Sequence, residues 1–167
     1  MFLMDVNVLV YAHREDTPEH LAYREWLEAI INGNAAYGYS EWVLSGFLRV
    51  VTHSEVFEIP SGLSNAIRFV NQIRDAPHAV CLAPRAMNWK IFLQCIEQID
   101  AKGNDIPDAY HAALAMEWNC VWVTTDKGFK RFKGLTVRPR WHYWIPDAQK
   151  TAFLSTGCAR AYVSTRP

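Results

Sequence analysis

Four short apolar runs, FLM at 2–4, AAYGY at 35–39, HAVCL at 78–82 and VWV at 121–123, alternate with longer segments whose apolar residues recur at helical spacing. Strands so short, with little polar alternation, are buried on both faces, which is the signature of a parallel sheet covered by helices. Pro18 stands near the first turn of a helix running to about Gly33, with Leu21, Trp26, Leu27, Ile30 and Ile31 on its apolar side. Ser40 is placed to cap a helix that starts at Glu41 and buries Val43, Leu44, Phe47, Leu48 and Val51. Further helices are expected over 62–74 and 86–99, and an alanine-rich one from about Pro107 to Trp118. Leu135 to Arg138 supplies a fifth strand. The fold class is therefore α/β: a three-layer α/β/α sandwich around a central, mostly parallel sheet of four to five strands.

With 167 residues the chain has the size of one domain with a sizeable core. Residues 1–146 are expected to form it, and 147–167, which lack clear periodicity, to be a mobile C-terminal extension. The net charge is zero but unevenly laid out: residues 1–126 carry eight basic and sixteen acidic side chains, and residues 127–167 nine basic and one acidic. An acidic body with a basic end suits a cation site beside a surface that attracts polyanions. Cys81, Cys95, Cys120 and Cys158 show no paired spacing and read as reduced thiols of a cytoplasmic protein. The start, MFLMD, lacks the features of a signal peptide, and no stretch has the length to span a bilayer.

Four acids fall at the ends of these elements: Asp5 and Asp126 after strands, Glu41 and Asp108 at helix starts. Singly, each has a plain explanation as a turn, cap or helix-dipole residue. Jointly they suggest one site, because ligands in parallel α/β folds bind beyond the carboxyl ends of the strands. Carboxylates so close to core segments need neutralising, and Mg²⁺ or Mn²⁺ takes such oxygen ligands without histidine. Ions of this kind suit phosphodiester cleavage. Asp105 is read as an accessory acid, and Asn7 and Thr125, with Thr124, as groups that orient ligands or water.

The runs MDVNVLVYA, SEWVLSGFLRVVT, GNDIPDAYHAALA and TTDKGFKRFKGLTV, in this order, resemble the PIN-domain ribonucleases, and among them the VapC-type toxins of toxin–antitoxin pairs. The resemblance covers about residues 1–140. It implies a PIN-like sandwich and endonucleolytic RNA cleavage dependent on Mg²⁺ or Mn²⁺. Asp5, Glu41, Asp108 and Asp126 fall on the family's acidic metal positions, Asn7 and Thr125 on its accompanying polar positions. It also implies a cognate antitoxin and a homodimer. The alternatives are a non-cleaving RNA- or protein-binding module and a nuclease acting on structured DNA.

Lys127, Lys130 and Arg131, followed by Lys133, Arg138 and Arg140, are interleaved with Phe129, Phe132, Trp141, Tyr143 and Trp144. This mixture suits phosphate neutralisation and base stacking on single-stranded RNA, or else a solvated basic edge over core aromatics. Phe129 is assigned to the core. Arg49 either contacts phosphate or caps its helix. His111, one turn after Asp108, reads as a packed or exposed helix histidine, and Trp26, Trp42, Trp89, Trp118 and Trp122 as mostly core.

Overall fold

The structure, a computed structural model, describes residues 1–138. Expectations for Arg140, Trp141, Tyr143, Trp144, Cys158 and the 147–167 extension lie outside the described residues. Five strands, β1 (Phe2–Met4), β2 (Tyr37–Tyr39), β3 (Ala79–Cys81), β4 (Val121–Val123) and β5 (Thr136–Arg138), form one sheet in the order β3-β2-β1-β4-β5. Every neighbouring pair is parallel. Six helices connect them: α1 (Val6–His13), α2 (His20–Ile31), α3 (Glu41–Val51), α4 (Leu63–Arg74), α5 (Asn88–Ile99) and α6 (Asp105–Glu117). The sheet grows outward from β1 through β2 to β3, then returns to the other side of β1 with β4 and β5. Right-handed crossovers require the helices of these two halves to lie on opposite faces, as the expected three layers demand. No helix of the described residues is long and apolar enough to cross a membrane.

Two features were not legible in the pattern. Helix α1 follows β1 with only Asp5 between them. Its sequence, VNVLVYAH, is rich in β-branched valine and reads locally as more strand. The Asp5 side chain ends the strand by accepting the Val6 N–H at 2.6 Å, capping the new helix. Ser40 occupies the cap position of α3 as expected, but its side chain makes no capping hydrogen bond.

The core joins both helical layers to the sheet through Leu3, Tyr37, Phe47, Ile73, Leu114 and Trp122, all essentially without solvent exposure. Tyr37 donates its hydroxyl to the Ile73 carbonyl at 2.5 Å, tying β2 to α4. Trp26 and Trp122 are core residues as expected, whereas Trp42 and Trp89 are exposed and Leu21 faces solvent. Helical periodicity located these helices without fixing how wide a stripe of each is covered.

Gly38 sits in β2, where an added Cβ would stand 2.4 Å from Leu82 Cδ1 and 3.2 Å from the Phe2 carbonyl oxygen. Gly38→Ala is expected to destabilise the fold by about 1–3 kcal/mol through overpacking. Urea denaturation checks this; an unchanged midpoint would mean that Leu82 swings aside freely.

Candidate active site at the carboxyl edge of the sheet

β1 and β4 lie at the point where the strand order reverses, and the crevice there opens beyond their carboxyl ends. Asp5 follows β1 directly, and its N–H continues the ladder to the Val123 carbonyl at 2.9 Å. Its carboxylate is buried. One oxygen accepts the Val6 N–H; the other accepts the Thr124 hydroxyl and, at 3.0 Å, the Asn7 Nδ2. Thr124 is the hub of the loop after β4. Its Oγ1 also accepts the Asp126 N–H and the Asn7 Nδ2, each at 3.0 Å. Thr125 meets Asn7 through its backbone N–H, at 3.4 Å. The hydroxyl that ties the two strand ends together is therefore that of Thr124, with Thr125 beside it. Asp126 accepts the Gly128 N–H at 2.7 Å, which starts the 3-10 turn Lys127–Arg131.

Asp108 approaches from the first turns of α6. Burial, with smaller contributions from the Asp108 and Asp126 charges, raises the Asp5 pKa from 3.8 to about 6. Burial likewise raises Asp108, helped by Asp126 and opposed by Arg131. The Arg131 guanidinium bridges Asp105 at 2.7 Å and Asp108 at 3.2 Å. A hydrogen bond from the Lys102 N–H, together with Arg131, lowers the Asp105 pKa. Arg131, grouped in sequence with the RNA-facing cations, thus has its charge turned inward on two acids. Lys127 and Lys130 are exposed beside it. Glu41 stands exposed at the first turn of α3, beyond the adjacent strand β2, and its charge acts on Arg74.

Asp5, Asp108 and Asp126 are therefore brought into one electrostatic neighbourhood, and Glu41 is not among the charges that act on Asp5 or Asp108. Among the described residues no three carboxylate, imidazole or thiolate groups close to ion-holding distance in this conformation. The donor set still fits a hard divalent cation: its oxygens raise one another's proton affinity, and one positive charge between them would relieve that repulsion.

A cleft of about 510 Å³ opens over Asp5 and Asp108 between α3 and α6, bordered by Trp42, Ser45, Gly46, Arg49, Pro107 and His111. A Cβ on Gly46 would stand 3.0 Å from Val6 Cγ2, so the missing side chain lets α3 approach α1. His111 is packed, as expected, with its ring stacked on Trp122 at 5.4 Å. Burial lowers its pKa to about 4, so it is neutral at pH 7, and its Nδ1 has no hydrogen-bond partner in the structure. A separate cavity of about 340 Å³ lies between α2 and α4, away from these acids.

The fold is a parallel α/β sandwich with three acids in one electrostatic neighbourhood at its topological switch point. Residues 2–135 match the PIN domain family, and the chain belongs to it. The chain is 45% identical over 138 residues to VapC ribonuclease Mb2897 of Mycobacterium bovis, covering 83% of this chain and 94% of that protein. It is 36% identical over 140 residues to ribonuclease VapC25 of Mycobacterium tuberculosis, covering 83% of this chain and 99% of that one. Among solved structures, VapBC2 from Rickettsia felis bound to a promoter DNA fragment shares the fold, with a TM-score of 0.59 at 20% identity over 82% of this chain and 96% of that chain.

The raised Asp5 pKa carries a definite sign. A carboxylate whose folded pKa exceeds its unfolded 3.8 favours folding while protonated, and that stability is lost as pH rises from about 4 through about 6. His111, whose pKa burial lowers to about 4, acts with the opposite sign in the same window, so the Asp5 contribution is read as a difference. In chelator, the unfolding free energy of the wild type relative to Asp5→Asn is expected to fall across this window by up to roughly 3 kcal/mol. Asp108 shifts the same way as Asp5 and is common to both proteins. Urea titrations of both proteins at stepped pH measure it; a difference between them that does not change with pH would refute the burial argument.

Proposed function

We propose that this chain is a Mg²⁺- or Mn²⁺-dependent endoribonuclease, the toxin of a type II toxin–antitoxin pair. The observation that carries this reading is the buried Asp5 carboxylate at the switch point, sharing its surroundings with Asp108 and Asp126. Asp5, Asp108 and Asp126 are the residues that would hold the ion, with Glu41 as the fourth acid that the sequence offers. When bound, the ion supplies a water-derived nucleophile at neutral pH and offsets charge on the phosphate.

The chain's own groups have separate tasks. Val6 N–H, Asn7 and Thr124 keep the Asp5 oxygens in place, and Thr124 and Gly128 N–H do so for the Asp126 loop. Arg131 restrains Asp108, with Asp105 as its second anchor. Lys127, Lys130 and Arg49 neutralise phosphates on either side of the cleavage point. The products are a 5′-phosphate and a 3′-hydroxyl. The relatives' names as VapC ribonucleases support RNA as substrate. The partner is a cognate antitoxin, a reading that the VapBC2 neighbour supports.

Cleavage of single-stranded RNA in Mg²⁺ or Mn²⁺ should stop in EDTA and fall by about a hundredfold or more in Asp5→Asn and Asp126→Asn. Matched DNA oligonucleotides should stay intact. Activity indifferent to chelator and to both substitutions rejects the mechanism, and tight RNA binding without turnover in any divalent metal points to a non-cleaving module. Thr124→Val should cost roughly ten- to a hundredfold in metal affinity, read by calorimetric Mn²⁺ titration, because it frees the Asp5 oxygen.

A further inference from the structure

Trp42 is 59% exposed, although it lies one residue into a helix whose neighbours Val43 and Leu44 are buried. Its position is specific. Trp42, Ser45, Gly46 and Arg49 follow the i, i+3, i+4, i+7 spacing of a single helical stripe, and all four border the cleft that holds Asp5 and Asp108. Tyr110 of α6 packs on the indole, with centroids 5.6 Å apart, and Phe92 of α5 supports Tyr110 at 5.8 Å. The indole is thus held in place by a row of rings, with most of its surface left to solvent.

One wall of the cleft therefore offers an aromatic surface at one end and a guanidinium about 10 Å along the helix at the other. The Asp5 and Asp108 carboxylates border the same cleft. A protein's apolar face would match the tryptophan and leave Arg49 and the acids without complement. Unpaired RNA matches all three: a base has a π-face, its neighbour brings a phosphate, and the phosphate at the acids brings a cation with it. We infer that Trp42 stacks the base flanking the scissile phosphate while Arg49 holds a phosphate on the far side, so that α3 selects unpaired RNA at the cleavage point. This inference rests on the ribonuclease reading and adds a base-binding position to it.

The test uses the full chain. Cleavage of an unmodified single-stranded oligonucleotide by the wild type in Mg²⁺ maps the cut. Binding is then measured in an Asp126→Asn background against the same oligonucleotide carrying one abasic position, moved stepwise along it. Stacking on an aromatic side chain corresponds to roughly a ten- to hundredfold in affinity. Trp42→Ala should weaken binding by that factor and Trp42→Tyr should restore most of it. An abasic position beside the cut should cause the same loss in the Trp42 protein and no further loss in Trp42→Ala. Unaltered affinity in Trp42→Ala, or losses that add at every abasic position, overturns the inference. So does a shift from dimer to monomer on sedimentation with an equal affinity loss for all oligonucleotides, which would assign Trp42 to contact with a second copy of the chain. No cleavage by the wild type sinks the ribonuclease reading and this inference together; normal cleavage with an inert Trp42 sinks this inference alone.

Discussion

The arrangement around the cleft depends on one interaction, the burial of the Asp5 carboxylate at the end of β1. A carboxylate removed from water there costs the fold stability unless it is hydrogen-bonded and neutralised. The protein supplies the hydrogen bonds from three directions: the first N–H of α1, the Asn7 amide and the Thr124 hydroxyl. Charge is handled differently. One positive side chain in the neighbourhood, Arg131, pairs with Asp105 and Asp108, and Asp5 keeps a raised proton affinity. Both Asp5 oxygens are hydrogen-bonded while among the described residues no cation pairs with them, which supports the cation proposed above.

The same interaction organises the backbone. Capping by Asp5 starts α1 immediately after the strand, and Thr124 joins the ends of β1 and β4 across the switch point. Because β4 pairs with β1 in register from Phe2 with Val121 to Met4 with Val123, the two loops emerge side by side. Geometry and electrostatics are then one problem, since any movement of the β4 loop shifts both the Asp126 carboxylate and the hydroxyl that steadies Asp5. The loop is stiffened further by Phe129 and Phe132, both buried. These rings anchor the turn that carries Lys127 and Lys130 and are not available for stacking on bases.

Helix α3 forms the opposite wall by other means. Its inner face packs through Val43, Leu44, Phe47 and Val51, and Gly46 lets it lie close to Val6. That close packing leaves the stripe from Trp42 to Arg49 facing the cleft. A helix chosen for its buried face thereby presents an exposed face of mixed aromatic and cationic character over the acids.

Much of this was readable from the chain. The five strands, five of the six helices, the parallel sheet and the placing of Asp5 and Asp126 at strand ends follow from apolar patterning and from the rule that such sheets bind at their carboxyl edge. Those signals are local, because each depends on neighbours a few residues apart. What only the tertiary structure decided depends on distant residues. Valine-rich α1 became helical because Asp5 caps it, and Thr124, more than Thr125, became the bridging hydroxyl because β4 lies beside β1. Arg131 turned from the solvent to Asp105 and Asp108, and Glu41 came within electrostatic reach of Arg74. Trp42 and Trp122 have the same side chain and opposite fates, one lining a cleft and one stacked in the core. Composition cannot separate them, because burial is settled by which other helix arrives at that position.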